Sequence, residues 1–255
     1  MTENAINKLY NQLFTFEGKQ VNAPYPIHKK FNPETFKFKH LYDWISKHNR
    51  IDKNTVILDA GCGVGFGSLF LAKLYGCKVT GISLSQKEIE AANKFAQQSE
   101  MNHLVDFQQK SFDEMPPNRF DLIIAVESLK HAIDLEKSIN ILKSALKPNG
   151  HFIVIDDFLR DSKSKDWVIE TYKKDWCLTH CLNHNIKKFG FVKKEDFTEH
   201  IQPKKEYKLK ILIGFCSAFK SIFKVLTIWR GAFLLEYLYS KKDMQYCVYE
   251  YQNKA

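Results

Sequence analysis

Three side chains stand where apolar runs end and have the chemistry to move a proton. His131 and Glu127 follow the apolar run Phe120–Val126, and Asp157 lies at the end of the run His151–Phe158. An imidazole with an unperturbed pKa of about 6.5 accepts a proton at neutral pH. A carboxylate beside it orients the ring and stabilises its cation. His131 is therefore the candidate general base, Asp157 its orienting partner, and Glu127 a further carboxylate able to contact a cofactor or stabilise a developing carbocation.

A second group of residues is built to hold a ligand. The stretch Val56–Gly67 runs from β-branched residues into glycines at 61, 63 and 65, and Ser68–Leu74 then continues as a helix-forming apolar run. Strand, tight turn and helix open a doubly wound α/β domain. Glycines leave no Cβ in the way, so a ligand can lie against bare backbone near the positive end of the helix. A dinucleotide fingerprint needs glycine at 61, 63 and 66. Position 66 is Phe, and the pattern from Asp59 to Gly65 is Asp-x-Gly-x-Gly-x-Gly, which argues against NAD.

This run resembles motif I of the class I S-adenosylmethionine-dependent methyltransferases, and the similarity continues through Phe158. The resemblance implies S-adenosylmethionine as cofactor, with its amino-acid end cradled at Asp59, Gly61, Gly63 and Gly65. At the exit of the second strand, Ser83 and Leu84 stand where many members carry an acidic ribose ligand, and Glu88, one turn into the next helix, can serve in its place. At the exit of the third strand, Ser111 and Phe112 match the adenine-binding positions, with Asp113 two residues further on. Val126-Glu127-Ser128-Leu129-x-His131, a helix, Lys147-Pro148-x-Gly150 and a strand ending in Asp157-Phe158 resemble natural-product and sugar O-methyltransferases, a branch that uses a His and an Asp at these places. Sterol and terpenoid C-methyltransferases share the Glu and the His-Ala pair.

The elements that position these residues read as a seven-stranded Rossmann-like sheet, its last strand antiparallel, with N-terminal and C-terminal helical caps. One domain is expected over residues 1–255: an N-terminal helical segment (1–50), a cofactor-binding core (51–160), a cap and substrate region with the sixth strand (161–240), and the last strand (241–255). Helices are expected over residues 3–17, 35–47, 86–98 and 165–183, with a proline loop at 23–28. The sixth strand falls within 191–200, and Asn149-Gly150 supplies a left-handed helix stop. The aromatic segment 207–239, interrupted by Lys220, Lys224 and Arg230, covers the acceptor or rests on a membrane surface. In such sheets ligands bind at the carboxyl ends of the strands, so the exits of the first, fourth and fifth strands share one rim.

The chain has 255 residues, 44% of them hydrophobic, enough for a sizeable core. Its formal charge of +9 is scattered in short lysine doublets, which argues against nucleic acid as partner. Residues 1–8 lack an apolar signal core, and no stretch approaches the roughly 20 uncharged residues of a membrane span, so a cytoplasmic location is expected. Cys177, His180, Cys181 and His184 are metal-ligand types, but strung along two helical turns they cannot converge on one ion, and no metal is assigned. The function expected is methylation of a hydroxyl on a small apolar or aromatic molecule. The rivals are C-methylation of a lipid or isoprenoid, RNA methylation, and cofactor binding without catalysis.

Overall fold

The computed structural model describes residues 31–160, 184–201, 206–219 and 225–254. The expected helix over 3–17, the proline loop at 23–28 and the cysteine- and histidine-bearing helix over 165–183 lie outside them.

Seven strands form one sheet: β1 (Val56–Ala60), β2 (Lys78–Ser83), β3 (Val105–Gln109), β4 (Phe120–Val126), β5 (Leu146–Leu159), β6 (Val192–Asp196) and β7 (Met244–Gln252). Their order is β3-β2-β1-β4-β5-β7-β6. Strands β1 to β5 pair in parallel, and β7 runs antiparallel between β5 and β6. Among the described residues the α-helices are α1 (Leu41–His48), α2 (Phe66–Tyr75), α3 (Gln86–Gln98), α4 (Leu135–Ser144), α5 (Glu206–Phe219) and α6 (Val225–Ser240).

The central strands bury both faces, which is why they read as continuous apolar runs. Along β4, Leu122, Ile124 and Val126 enter a core shared with α1, α2, α3, α5 and α6, while Ile123 and Ala125 enter a second core shared with α4. Local capping fixes where the helices start. Ser85 accepts from the Glu88 amide at the head of α3, and Asp134 Oδ1 accepts from the Lys137 amide at 3.0 Å at the head of α4.

Three boundaries differ from the sequence reading. The helix expected from residue 35 begins at Leu41, because Phe36 is drawn into an aromatic cluster, stacked on Phe31 at 4.1 Å and edge-on to Phe197 at 5.3 Å. His40 then caps α1, its Nδ1 accepting from the Asp43 amide. The sixth strand stops at Asp196, whose carboxylate accepts from the Thr198 amide at 3.0 Å and turns the chain into a short 3-10 helix. Helix α4 ends at Ser144, so left-handed Asn149 (φ 64°) makes a bend within β5 and not the helix stop. The apolar segment 207–239 forms the helices α5 and α6, tied together where Arg230 Nη1 donates to Ser217 Oγ at 3.3 Å.

Candidate active site

The glycine turn leaves β1 with three left-handed residues in alternation: Gly61 at φ 93°, Gly63 at 52° and Gly65 at 84°. Two of them also have no room for a side chain. A Cβ on Gly61 would lie 2.3 Å from Ser128 Cβ, and one on Gly65 would lie 2.6 Å from the Phe107 ring. Gly65 is the N-cap of α2 and supplies no side-chain cap, and the Ser68 amide of the first turn bonds the Asp59 carboxylate. Asp59, fully buried beneath the turn, accepts from Ser68 Oγ at 2.7 Å and Tyr42 OH at 3.4 Å. Burial pushes its pKa up to about 6, with those hydrogen bonds pulling the other way.

The exit of β2 carries an acid despite lacking one on the strand. Ser83 Oγ donates to Glu88 Oε2 at 2.6 Å and accepts from the Ser85 amide at 3.1 Å, which binds Glu88 back to the end of the strand. Glu88 is buried. Leu84, beside it, is half-buried, and its carbonyl accepts from Gln109. At the exit of β3, Ser111 forms a capping box with Glu114. Phe112 packs against the core that holds α4. Asp113 is turned towards α4, accepting from Ser138 Oγ at 2.6 Å and pairing with Lys137.

The exits of β1, β4 and β5 do meet on one rim. Ser128 Oγ donates to the Ala60 carbonyl at 2.5 Å, and the Glu127 amide donates to the Ile155 carbonyl at 2.8 Å. Glu127 has a left-handed backbone, φ 51°, a costly conformation for a residue with a Cβ. Its half-buried carboxylate accepts from Tyr246 OH of β7 at 2.7 Å. Below it, Lys130 Nζ bridges Asp156 Oδ1 at 2.8 Å and Asp157 Oδ2 at 3.2 Å, all three side chains being buried. Tyr239 of α6 donates to the other oxygen of Asp157. Burial alone would lower the Lys130 pKa, but the two carboxylates outweigh it and hold the ammonium well above its ordinary range. Burial raises Asp156, and the neighbouring lysine offsets part of that. His131 ends a 3-10 turn at Leu129–His131 beside this cluster, and burial, aided by the Lys130 charge, draws its pKa down to about 3.

The rim residues His131, Glu127 and Asp157 thus gather near the glycine turn. Sequence reasoning missed the partners that organise them: Lys130, Asp156, Tyr239 and Tyr246. One signal was visible, a lysine set between Leu129 and His131-Ala132-Ile133 directly after the apolar run of the fourth strand. The tyrosines come from the far end of the chain and carry no local mark.

The family described as a methyltransferase domain matches residues 51–212. The chain belongs to that family. Its residues also suit the cofactor that class I methyltransferases use: left-handed glycines at the head of a helix and an acid tied to the end of β2 are complementary to a carboxylate and a ribose diol. Over 118 residues the methyltransferase is 31% identical to the glycine/sarcosine/dimethylglycine N-methyltransferase of Actinopolyspora halophila, a match covering 46% of this chain and 21% of that protein. Over 135 residues it is 31% identical to a sterol 24-C-methyltransferase of Aspergillus fumigatus, covering 49% of this chain and 36% of that protein. The chain therefore spans only about a fifth to a third of these relatives' length. In fold it is similar to the crystal structure of the [4+2]-cyclase SpnF, with TM-score 0.74 and 19% identity over 100% of this chain and 97% of that one. It is similar as well to geranyl diphosphate C-methyltransferase from Streptomyces coelicolor A3(2), with TM-score 0.72 and 13% identity over 99% and 98% of the two chains.

Proposed function

We propose that this methyltransferase transfers a methyl group from S-adenosylmethionine to a carbon of a small, apolar, isoprenoid-like acceptor. The observation that carries the reading is the charge balance of the rim, where Glu127, Asp156 and Asp157 gather around Lys130, the one cation paired with them among the described residues. An excess of buried negative charge favours a reaction whose transition state becomes positive on the acceptor. The bound cofactor supplies an electrophilic methyl on a sulfonium. When the electron pair of an acceptor double bond forms the new carbon–carbon bond, positive charge appears on the adjacent carbon, and Glu127 is placed to offset it. Glu127 then takes the proton that leaves the neighbouring carbon, restoring a double bond. Tyr246 holds the carboxylate in position throughout.

The remaining assignments follow the same geometry. The turn Gly61–Gly65 and the head of α2 receive the amino-acid end of the cofactor, with Asp59 beneath supporting the turn. Glu88, Ser83 and Leu84 face the ribose. Ser111 and Phe112 border the adenine.

Methylation of a hydroxyl by His131 is the second reading, favoured by an imidazole that stays neutral at physiological pH. A conjugate acid with pKa of about 3 nevertheless makes a weak base for an alcohol proton. Asp157, the partner it would need, has its oxygens accepting from Lys130 and Tyr239. Incubation with methyl-¹³C S-adenosylmethionine and a panel of sterols, isoprenoid diphosphates, phenols and methylated glycines, read by NMR, tests the choice. A new carbon-bound methyl supports the proposal. An oxygen- or nitrogen-bound methyl as the only product removes it.

A further inference from the structure

Helix α5 is apolar on two faces, and among the described residues only one of them packs against the rest of the fold. Leu209, Ile213 and Cys216 are buried against α6 and the sheet. On the opposite side, Ile211 is 68% exposed, Phe215 55% and Phe219 41%, and the rings of Phe215 and Phe219 lie 4.9 Å apart. The spacing i, i+4, i+8 makes these three a continuous stripe. Trp229 of α6 is 44% exposed as well. A helix with apolar residues all round belongs in a core or in lipid, and an isolated surface stripe of large apolar side chains marks a contact.

The charges beside the stripe indicate what it touches. Lys208 and Lys210 are exposed on α5. From Tyr207 to Leu235 the sequence has no Asp or Glu, while it carries Lys208, Lys210, Lys220, Lys224 and Arg230. Arg230 is buried and serves the α5–α6 contact, and Lys210 Nζ, on an exposed residue, also reaches the Tyr237 ring of α6 at 5.8 Å. A surface that is negative and apolar beneath answers both features at once. No helix among the described residues is long and apolar enough to cross a membrane, and an apolar stripe beside exposed lysines suits contact in the interfacial plane.

We infer that the outer face of α5, with Trp229, docks on the surface of an anionic phospholipid bilayer. Ile211, Phe215 and Phe219 enter the boundary between headgroups and acyl chains, and Lys208 and Lys210 face the anionic headgroups. The inner face of the same helix pair meets the site, since Tyr239 of α6 bonds Asp157, so docking would place the rim next to the phase in which apolar molecules dissolve. The inference does not depend on which atom is methylated.

The test is co-sedimentation of the full chain with vesicles of phosphatidylcholine alone and of phosphatidylcholine with phosphatidylglycerol in equal parts. The expected result is binding to the mixed vesicles that weakens as salt rises. Ile211→Ser with Phe215→Ser, and separately Lys208→Glu with Lys210→Glu, should each weaken it about tenfold or more. Calorimetric binding of S-adenosylhomocysteine, measured on the same variants, should match that of the parent chain and shows that fold and cofactor site are intact. Absence of binding to either vesicle, equal binding to the uncharged vesicles, or binding untouched by both variants overturns the inference. So does sedimentation equilibrium showing a lipid-free dimer that Phe215→Ser dissolves, because the stripe would then belong to a second copy.

Discussion

Glu127 is the residue where backbone, hydrogen bonding and charge converge. A left-handed backbone costs a non-glycine residue on the order of 1–3 kcal/mol, a strain that persists only where the surroundings enforce it. Here the amide is held by Ile155 and the carboxylate by Tyr246. Such a residue is fixed in direction before any ligand arrives, which suits a group that must meet charge at one point. His131 differs, because a ring whose cation is disfavoured down to a pH of about 3 neither carries positive charge nor takes protons readily. The two residues therefore make opposite predictions. Glu127→Gln keeps size and an acceptor for Tyr246 but loses the charge and the proton acceptor, so single-turnover methyl transfer should fall roughly 10²- to 10⁴-fold with cofactor affinity nearly unchanged. His131→Ala should cost less than about tenfold. Rapid-quench measurement on both variants decides the matter, and the reverse order of effects would return the reaction to hydroxyl methylation.

At the scale of elements, the glycine turn is held by two separable constraints, backbone sign and crowding. Gly61 has both, with φ at 93° and a would-be Cβ 2.3 Å from Ser128 Cβ, on the strand exit that locks β4 to β1. Gly76, at the end of α2, has the same backbone sign but open space, its nearest atom being Lys53 Cβ at 3.9 Å. Gly76→Ala should then cost about 1 kcal/mol, the conformational part alone, whereas Gly61→Ala adds an overpacking cost of about 1–3 kcal/mol and displaces Ser128. Urea unfolding of the two variants gives the difference. Equal losses would mean that the β1–β4 contact yields freely. This turn was legible in the sequence because glycine spacing is a local signal, and the central strands were legible because burial on both faces leaves unbroken apolar runs. The start of α1 was not, since Phe36, stacked on Phe31 and edge-on to the sequence-distant Phe197, is drawn out of the helical pattern. Nor was the environment of Glu127 and Asp157: Tyr246 reaches Glu127 only once β7 has threaded between β5 and β6, and Tyr239 reaches Asp157 only once α6 has packed on the rim.

At the scale of the whole molecule, the sheet buries titratable groups of two kinds, and their sum shapes stability against pH. Hydrogen bonds and lysines hold Asp43, Asp196 and Glu250 below the usual carboxylate range against the upward pull of burial, so their support is present near neutrality and fades on acidification. Asp59 works in the other direction. Burial raises its pKa from 3.8 to about 6, so between those values the folded chain keeps a proton that the unfolded chain releases. Its contribution is full below about pH 4 and is lost as the pH climbs through about 6. The ionised form under the glycine turn is thus tolerated at neutral pH at a cost of about 3 kcal/mol, the shift converted at about 1.4 kcal/mol per unit. Asp59→Asn removes the titration while its amide oxygen still accepts from Ser68. Relative to the parent chain, the variant should gain on the order of 3 kcal/mol of stability as the pH is raised from about 4 to 7, measured by urea unfolding without cofactor. A stability difference that stays constant across that range would mean that Asp59 is ionised throughout, and that the turn above it is supported by a permanent charge.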